Sequence, residues 1–199
     1  MIADEIYRIV DQQLKKLGAL PEHPRKAMLS NLRRGVGRIP GDMPELWGIF
    51  LRDLPQELQS KDGTPTQGEW AVYLALTLYA LHQQGQSSNM NQKGMSLGTA
   101  VRRLANPNQD PEECPSYRRF QTLLTATSIQ EIAHYLRGMI QLLGKESIPL
   151  DYPQLAKQLF FLQFSSTAPR VRLLWGQDYY HNPKKEEEEM LDKIKGGIK

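Results

Sequence analysis

The chain has 199 residues, of which 40% are hydrophobic and 24% charged, and its formal net charge is +3 at pH 7. This length is enough to bury a hydrophobic core, and the composition is that of an ordinary globular protein. The longest apolar run, residues 71–81, is about half of the ~20 residues that cross a bilayer. Together with a polar amino terminus, it predicts a cytoplasmic protein with no membrane partner. A single cysteine, Cys114, excludes a disulfide framework and a cysteine zinc cluster.

Apolar residues recur at helical spacing through the first half of the chain. Gly18 marks the end of the first helix, and Pro24 occupies the first turn of the second. Thr66 and Glu69 form a capping box ahead of a long helix that is apolar nearly all round, which predicts a central core element. The predicted helices cover residues 4–17, 24–34, 45–54 and 66–83.

The second half of the chain repeats this helical pattern after a Gly/Ser/Asn-rich linker at residues 85–94. Its predicted helices begin at Ser96, Ser116, Ser128, Asp151 and Pro169, and Ser128 forms a second capping box with Glu131. No stretch alternates as a strand does, so we predict an all-α fold of two small helical bundles. The bundles correspond to residues 1–88 and 94–181. The charged tail, residues 182–199, is either a solvated helix or disordered.

The predicted helices carry basic residues with no acidic residue three or four positions away, where a helical ion pair would form. This surplus favours arginine, whose planar guanidinium suits phosphate groups. Neighbouring arginines on a helix point ~100° apart, which fits backbone contacts better than base reading. Solvated faces or tertiary salt bridges are the alternative explanation. The candidate nucleic-acid-binding residues are Arg33, Arg34, Arg102, Arg103, Arg118, Arg119, Arg137 and Lys157.

Motifs for catalysis are not found in the sequence. The four histidines lack the spacing of helical metal pairs, and no glycine-rich segment has the pattern of a phosphate-binding loop. His134 lies on the polar flank of its predicted helix, where a solvated histidine is the usual case. We therefore predict a binding protein rather than an enzyme, with no metal site and no cofactor.

Several segments, taken in order, resemble the CasB family, the small subunit of the type I-E CRISPR Cascade surveillance complex. NLRRGVGRIPGDMPELW at residues 31–47 resembles the basic helix of that family and the turn after it. GEWAVYLALTLYALHQ is similar to the central apolar helix of the family. MSLGTAVRRL contains the Ser-Leu-Gly start that is typical of the family. RRFQTLLTATSIQEIAHYLRGMIQLL contains its Arg-Arg-Phe and Leu-Arg elements, and LDYPQLAKQL and VRLLWGQDYY follow.

This resemblance implies an all-helical subunit without catalytic activity. Its implied partners are the Cascade backbone and large subunits, a second copy of itself, guide RNA and target DNA. A basic surface on such a subunit would bind nucleic acid non-specifically and stabilise the R-loop during antiviral defence. Arg33, Arg34, Arg119 and Arg137 stand where the family motifs have basic residues, and Arg118 is adjacent to one. The alternative function is a helical adaptor whose arginines contact acidic surfaces of partner proteins.

Overall fold

A computed structural model describes residues 1–106 and 109–181, and the predicted tail at 182–199 lies outside this part of the chain. The fold is all-α, as predicted; over the described residues the only extended pairing is one isolated bridge between Asn91 and Leu150. None of the described helices is long and apolar enough to cross a membrane. The α-helices are α1 (Ile2–Ala19), α2 (Glu22–Arg34), α3 (Trp47–Phe50), α4 (Gln67–His82), α5 (Leu97–Arg103), α6 (Pro115–Thr125), α7 (Ile129–Lys145), α8 (Tyr152–Leu162) and α9 (Ala168–Tyr180).

Both predicted capping boxes are present. The backbone N–H of Glu69 donates to the Thr66 hydroxyl at the start of α4, and the N–H of Glu131 donates to Ser128 at the start of α7. In each box the glutamate side chain accepts a hydrogen bond from the backbone N–H of the capping residue. These caps satisfy N–H groups that the first helical turn leaves without partners.

Two predicted elements differ from the structure. The helix expected over residues 45–54 is a 3-10 turn, Pro44–Leu46, followed by the four residues of α3. The expected cap at Ser116 is also wrong, because α6 begins at Pro115 with Cys114 as its N-cap. Proline suits the first helical position, since its missing N–H would have no partner there. The Ser116 hydroxyl is instead buried, and it has no hydrogen-bond partner among residues 1–106 and 109–181.

Helix α4 lies at the centre of the core, as its uniform apolarity predicts. It packs against α1, α2, α7 and α8, and almost every side chain along it is buried. Helix α8, from the second half of the chain, also packs along α1, while α5 packs against α9. One hydrophobic cluster therefore extends from Ile6 to Tyr179.

The segment predicted as a linker is bonded to the start of α8. Leu150 donates its N–H to the Met90 carbonyl at 3.0 Å, and Asp151 donates to the Met95 carbonyl at 2.8 Å. The Asp151 carboxylate accepts from the Gly94 N–H at 2.8 Å and from the Gln154 N–H at 2.9 Å. These bonds join the two halves of the chain along the segment, and the division at residues 88–94 stays a prediction.

Candidate nucleic-acid interface

The last turn of α2 presents Arg33 and Arg34 beside the central helix. Basic side chains are favourable here because the carboxyl end of a helix carries a partial negative charge. Arg33 is half-buried and lines a surface depression of about 700 Å³. Gln84 and Gln86, just beyond the end of α4, line the same depression. The segment that follows α4 therefore borders this depression beside α2 and leads to the neighbouring depression.

A second depression, of about 470 Å³, lies on the other side of these glutamines. Arg119 from α6 and Lys145 from α7 line it, together with the same Gln84 and Gln86. The Gln86 side chain is fixed in place, because its amide donates to the Gly144 carbonyl at 2.6 Å. Two depressions with basic linings thus adjoin each other across the segment that follows α4.

Arg137, in the middle of α7, reaches the turn that follows α2. Its Nη1 atom lies 3.9 Å from the position that a Cβ atom would occupy at Gly37. Arg33, Arg119 and Lys145 line the two adjoining depressions, and Arg137 lies at the turn after α2; we call these four residues the α2–α7 basic face. Over the described residues, none of the four side chains makes an ion pair or a hydrogen bond.

Lys145 is the member of this face that the sequence analysis missed. The residues three and four positions from it are Gln141, Leu142, Ile148 and Pro149, none of which is acidic. The absence of acidic residues three and four positions away therefore identifies Lys145 by the same criterion as the predicted arginines.

Two of the predicted site residues have acidic partners that are distant in sequence. Arg34 forms an ion pair with Glu45 at 3.4 Å. Lys157 donates to Asp4 at 2.6 Å, and this hydrogen bond and the lysine charge lower the pKa of the Asp4 carboxyl. Lys157 also lines a third depression, between α1, α8 and α9, which shares no lining residue with the other two. The structure therefore does not bring Lys157 to the α2–α7 basic face.

The remaining three predicted residues lie on α5 and α6. Arg102 and Arg103 form the last turn of α5, which packs against α9. Burial raises the pKa of the Tyr179 phenol to about 12, and the positive charge of the nearby Arg102 partly opposes this effect. Arg118 is exposed on α6. None of these three lines either depression of the basic face.

His82 lies beneath the second depression but contributes no charge to it at neutral pH. Burial lowers the pKa of His82 to about 4, and the nearby Leu143 and Ile148 carbonyls only partly oppose this effect. Its Nδ1 atom is 2.9 Å from the Tyr152 hydroxyl, so the ring belongs to the core. Over the described residues, no group of His, Cys, Asp and Glu side chains is arranged to hold a metal ion.

Comparisons with known proteins agree on one family. Residues 28–180 match the family model of the CRISPR-associated protein Cse2, and this segment contains the whole α2–α7 basic face. The crystal structure of CasB from Thermobifida fusca is similar, with 35% sequence identity and a TM-score of 0.75 over 89% of this chain and 98% of that chain. No curated protein matches. The chain therefore belongs to the CRISPR-associated Cse2 family, also called CasB, the small subunit of the Cascade complex.

Proposed function

We propose that this subunit binds nucleic acid without sequence preference through the α2–α7 basic face and thereby stabilises the Cascade R-loop. The observation that supports this proposal is that Arg33 and Arg119 line adjoining depressions and Arg137 lies at the turn after α2, each without an acidic partner among the described residues. Exposed guanidinium groups with no carboxylate to satisfy them are suited to phosphate oxygens.

Backbone contacts of this kind are sufficient for the proposed role. R-loop formation exchanges a DNA duplex for an RNA–DNA heteroduplex of nearly equal stability, so a few contacts shift the equilibrium. Contacts to the target strand or the displaced strand would slow their reannealing. Phosphate contacts carry no sequence information, which suits a complex that reads its target by base pairing.

The partners in this proposal are those of a Cascade small subunit. They are the backbone and large subunits, a second copy of this chain, guide RNA and target DNA, in a cytoplasmic complex. The role is non-catalytic, and metal-dependent turnover by the purified protein would contradict that part of the proposal. Arg34, Arg102, Arg103, Arg118 and Lys157 remain candidates for contacts with nucleic acid outside the α2–α7 basic face.

The proposal is tested by measuring R-loop lifetimes in complexes that carry the triple variant Arg33→Ala, Arg119→Ala and Arg137→Ala. We expect shorter lifetimes at physiological salt. For a single strand, the logarithm of the affinity falls with the logarithm of the salt concentration, at a slope of about 0.7 for each phosphate that the protein neutralises. If each arginine neutralises one phosphate, the triple variant should have a slope that is smaller by about 2.

The matched control removes three positive charges that already have acidic partners within the chain. Arg8 pairs with Glu5, Lys15 with Asp11, and Lys16 with Asp53. The triple variant Arg8→Ala, Lys15→Ala and Lys16→Ala should leave the lifetime and the salt slope unchanged. Equal effects of the two triple variants would show that net charge alone is responsible and would reject the α2–α7 basic face.

The alternative function, a protein–protein adaptor, is favoured by one feature of the surface. Trp47 is 46% exposed on α3, and exposed tryptophans are typical anchors of protein interfaces. A gel shift of the isolated protein on unrelated DNA at low salt distinguishes the two functions. Retardation that the Arg33/Arg119/Arg137 variant abolishes supports nucleic-acid binding, and the absence of retardation by the unsubstituted protein supports the adaptor.

A further inference from the structure

Residues 83–90 form a folded segment between the two basic depressions, and we call this segment the ridge. Gln83 closes the ridge on itself, because its side-chain amide donates to the Ser88 carbonyl at 2.8 Å and its amide oxygen accepts from the Met90 N–H at 3.0 Å. Two further glutamines of the ridge line both depressions. The shape of the ridge therefore sets how the two depressions lie relative to each other.

The Gln86 side chain fastens the ridge to the end of α7. Its amide nitrogen donates to the Gly144 carbonyl at 2.6 Å, and its amide oxygen accepts from the Ser147 hydroxyl at 2.9 Å. Gly144 directly precedes Lys145, whose side chain lines the second depression. Both ends of one amide group are thus bound to the turn that carries a basic residue of the α2–α7 basic face.

Ser147 makes its bond to Gln86 from a strained backbone conformation. Its φ is +52°, and in the ranges 1–106 and 109–181 it is the one non-glycine residue with a positive φ. It follows the end of α7, at a position where glycine is usual because glycine adopts this conformation without strain. Serine supplies a hydroxyl that glycine lacks, and this hydroxyl bonds the ridge. Strain of this kind persists where the surrounding structure enforces it, and it is frequent at binding sites.

We propose that Gln86 is a positioning residue, which holds the ridge so that one nucleic-acid strand contacts Arg33 on one side and Arg119 on the other at the same time. This inference rests on the proposed function and adds a residue that carries no charge. The Gln86 amide already bonds within the chain at both of its ends. It therefore acts through the arginines rather than on a phosphate itself.

The physical reason is that two contacts with one strand are not independent. Once one arginine holds the strand, the second contact is intramolecular, and its strength depends on how well the spacing of the two sites is kept. A loose ridge would spread the two sites over many relative positions and would weaken the second contact. The same phosphates would still be neutralised. Loss of the Gln86 side chain should therefore lower the affinity and leave its salt dependence unchanged.

Filter binding of single-stranded DNA to the full-length protein at several salt concentrations tests this inference. We expect Gln86→Ala to lower the affinity about fivefold at each salt concentration, with an unchanged salt slope. The matched control is Gln84→Ala. Gln84 also lines both depressions, but it is exposed and its side chain makes no hydrogen bond within the described part of the chain. The control variant should keep the affinity of the unsubstituted protein.

Two further variants distinguish positioning from a general effect on the fold. Arg33→Ala should lower the affinity less in a Gln86→Ala background than in the unsubstituted protein, because the two sites then no longer act together. A general loss of folded protein would instead make the two effects multiply. Ser147→Ala removes one of the two Gln86 bonds and leaves the bond to Gly144 in place. It should cause a smaller loss of affinity than Gln86→Ala.

Three outcomes would overturn the inference. The first is an affinity of Gln86→Ala equal to that of the unsubstituted protein. The second is a salt slope smaller by about 0.7, which would mean that Gln86 itself contacts a phosphate. The third is independent effects of Arg33→Ala and Gln86→Ala. The Arg33/Arg119/Arg137 variant shows which proposal has failed: if it also keeps full affinity, the proposed function is rejected as well, and if it loses affinity, only the role of Gln86 is rejected.

Discussion

Arg137 lies against Gly37, with its Nη1 atom 3.9 Å from the place of a Cβ atom at that glycine. One residue belongs to α7 and the other to the turn after α2, so the contact joins two elements about 100 residues apart in sequence. Gly37 has a φ of +82°, in the left-handed region that side chains disfavour. The backbone of this turn therefore helps to place an α7 arginine beside the basic end of α2.

Replacing Gly37 should destabilise the fold through its backbone. The left-handed conformation costs an L-residue about 1–2 kcal/mol, so Gly37→Ala should lower the free energy of unfolding by that amount. Urea denaturation measures this loss. Gly18→Ala is the control, because Gly18 lies within α1 with open space around it and should show no loss. Equal losses in the two variants would contradict the assignment of strain to the Gly37 turn.

Arg33 and Arg34 are adjacent but should contribute unequally to nucleic-acid binding. Arg34 pairs with Glu45, whereas Arg33 lines a depression and has no ionic partner in the described part of the chain. We expect Arg33→Ala to lower affinity for single-stranded DNA about fivefold, the equivalent of about 1 kcal/mol, and Arg34→Ala to lower it less. Filter binding at low salt measures both. Glu45→Gln should raise affinity, because it releases Arg34; a decrease would contradict this explanation.

Local signals predict most of the fold. The capping boxes at Thr66 and Ser128 and the apolar character of α4 are properties of short stretches, and the structure confirms each of them. The predicted cap at Ser116 is wrong because Pro115, one residue earlier, is an equally local start signal and stands at the first helical position. Competition between neighbouring signals limits the prediction of helix boundaries.

The candidate site is only partly predictable, because a search for acidic residues three or four positions away considers one helix at a time. It identifies Arg33 and Arg119, which line adjoining depressions, and Arg137, which lies at the turn after α2. It cannot detect that Arg34 meets Glu45 across a turn, or that Lys157 meets Asp4 from α1. Such pairs depend on how helices pack, and no spacing within a helix encodes them.

The stability of the protein should fall in mild acid because of His82. Its pKa is about 4 in the fold, whereas an ordinary histidine titrates at 6.5. The unfolded chain therefore binds more protons between these values, and stability present above pH 6.5 is lost as the pH falls towards 4. The shift corresponds to about 3 kcal/mol at most. Urea denaturation at pH 7.5, 6.0 and 5.0 measures the loss.

The control for this prediction is His82→Gln, which removes the titrating ring at the same position. The variant should be less stable at pH 7.5, because the contact with the Tyr152 hydroxyl is altered. Its stability should nevertheless fall less between pH 7.5 and 5.0 than that of the unsubstituted protein. An equal fall in both proteins would assign the acid sensitivity to other groups.

Gly98 should be among the positions of the fold least tolerant of substitution. It lies at the crossing of α5 and α9, where an added Cβ would overlap the Trp175 carbonyl oxygen and stand 2.8 Å from the Tyr179 backbone nitrogen. Backbone atoms cannot rotate away as a side chain can, so the two helices would have to separate. We expect Gly98→Ala to cost about 3 kcal/mol or more, measured by thermal and urea unfolding. Gly176→Ala, with no atom within 4 Å, is the control on α9 and should gain up to about 1 kcal/mol. Tolerance of both substitutions would mean that α5 and α9 do not pack as closely as this crossing requires.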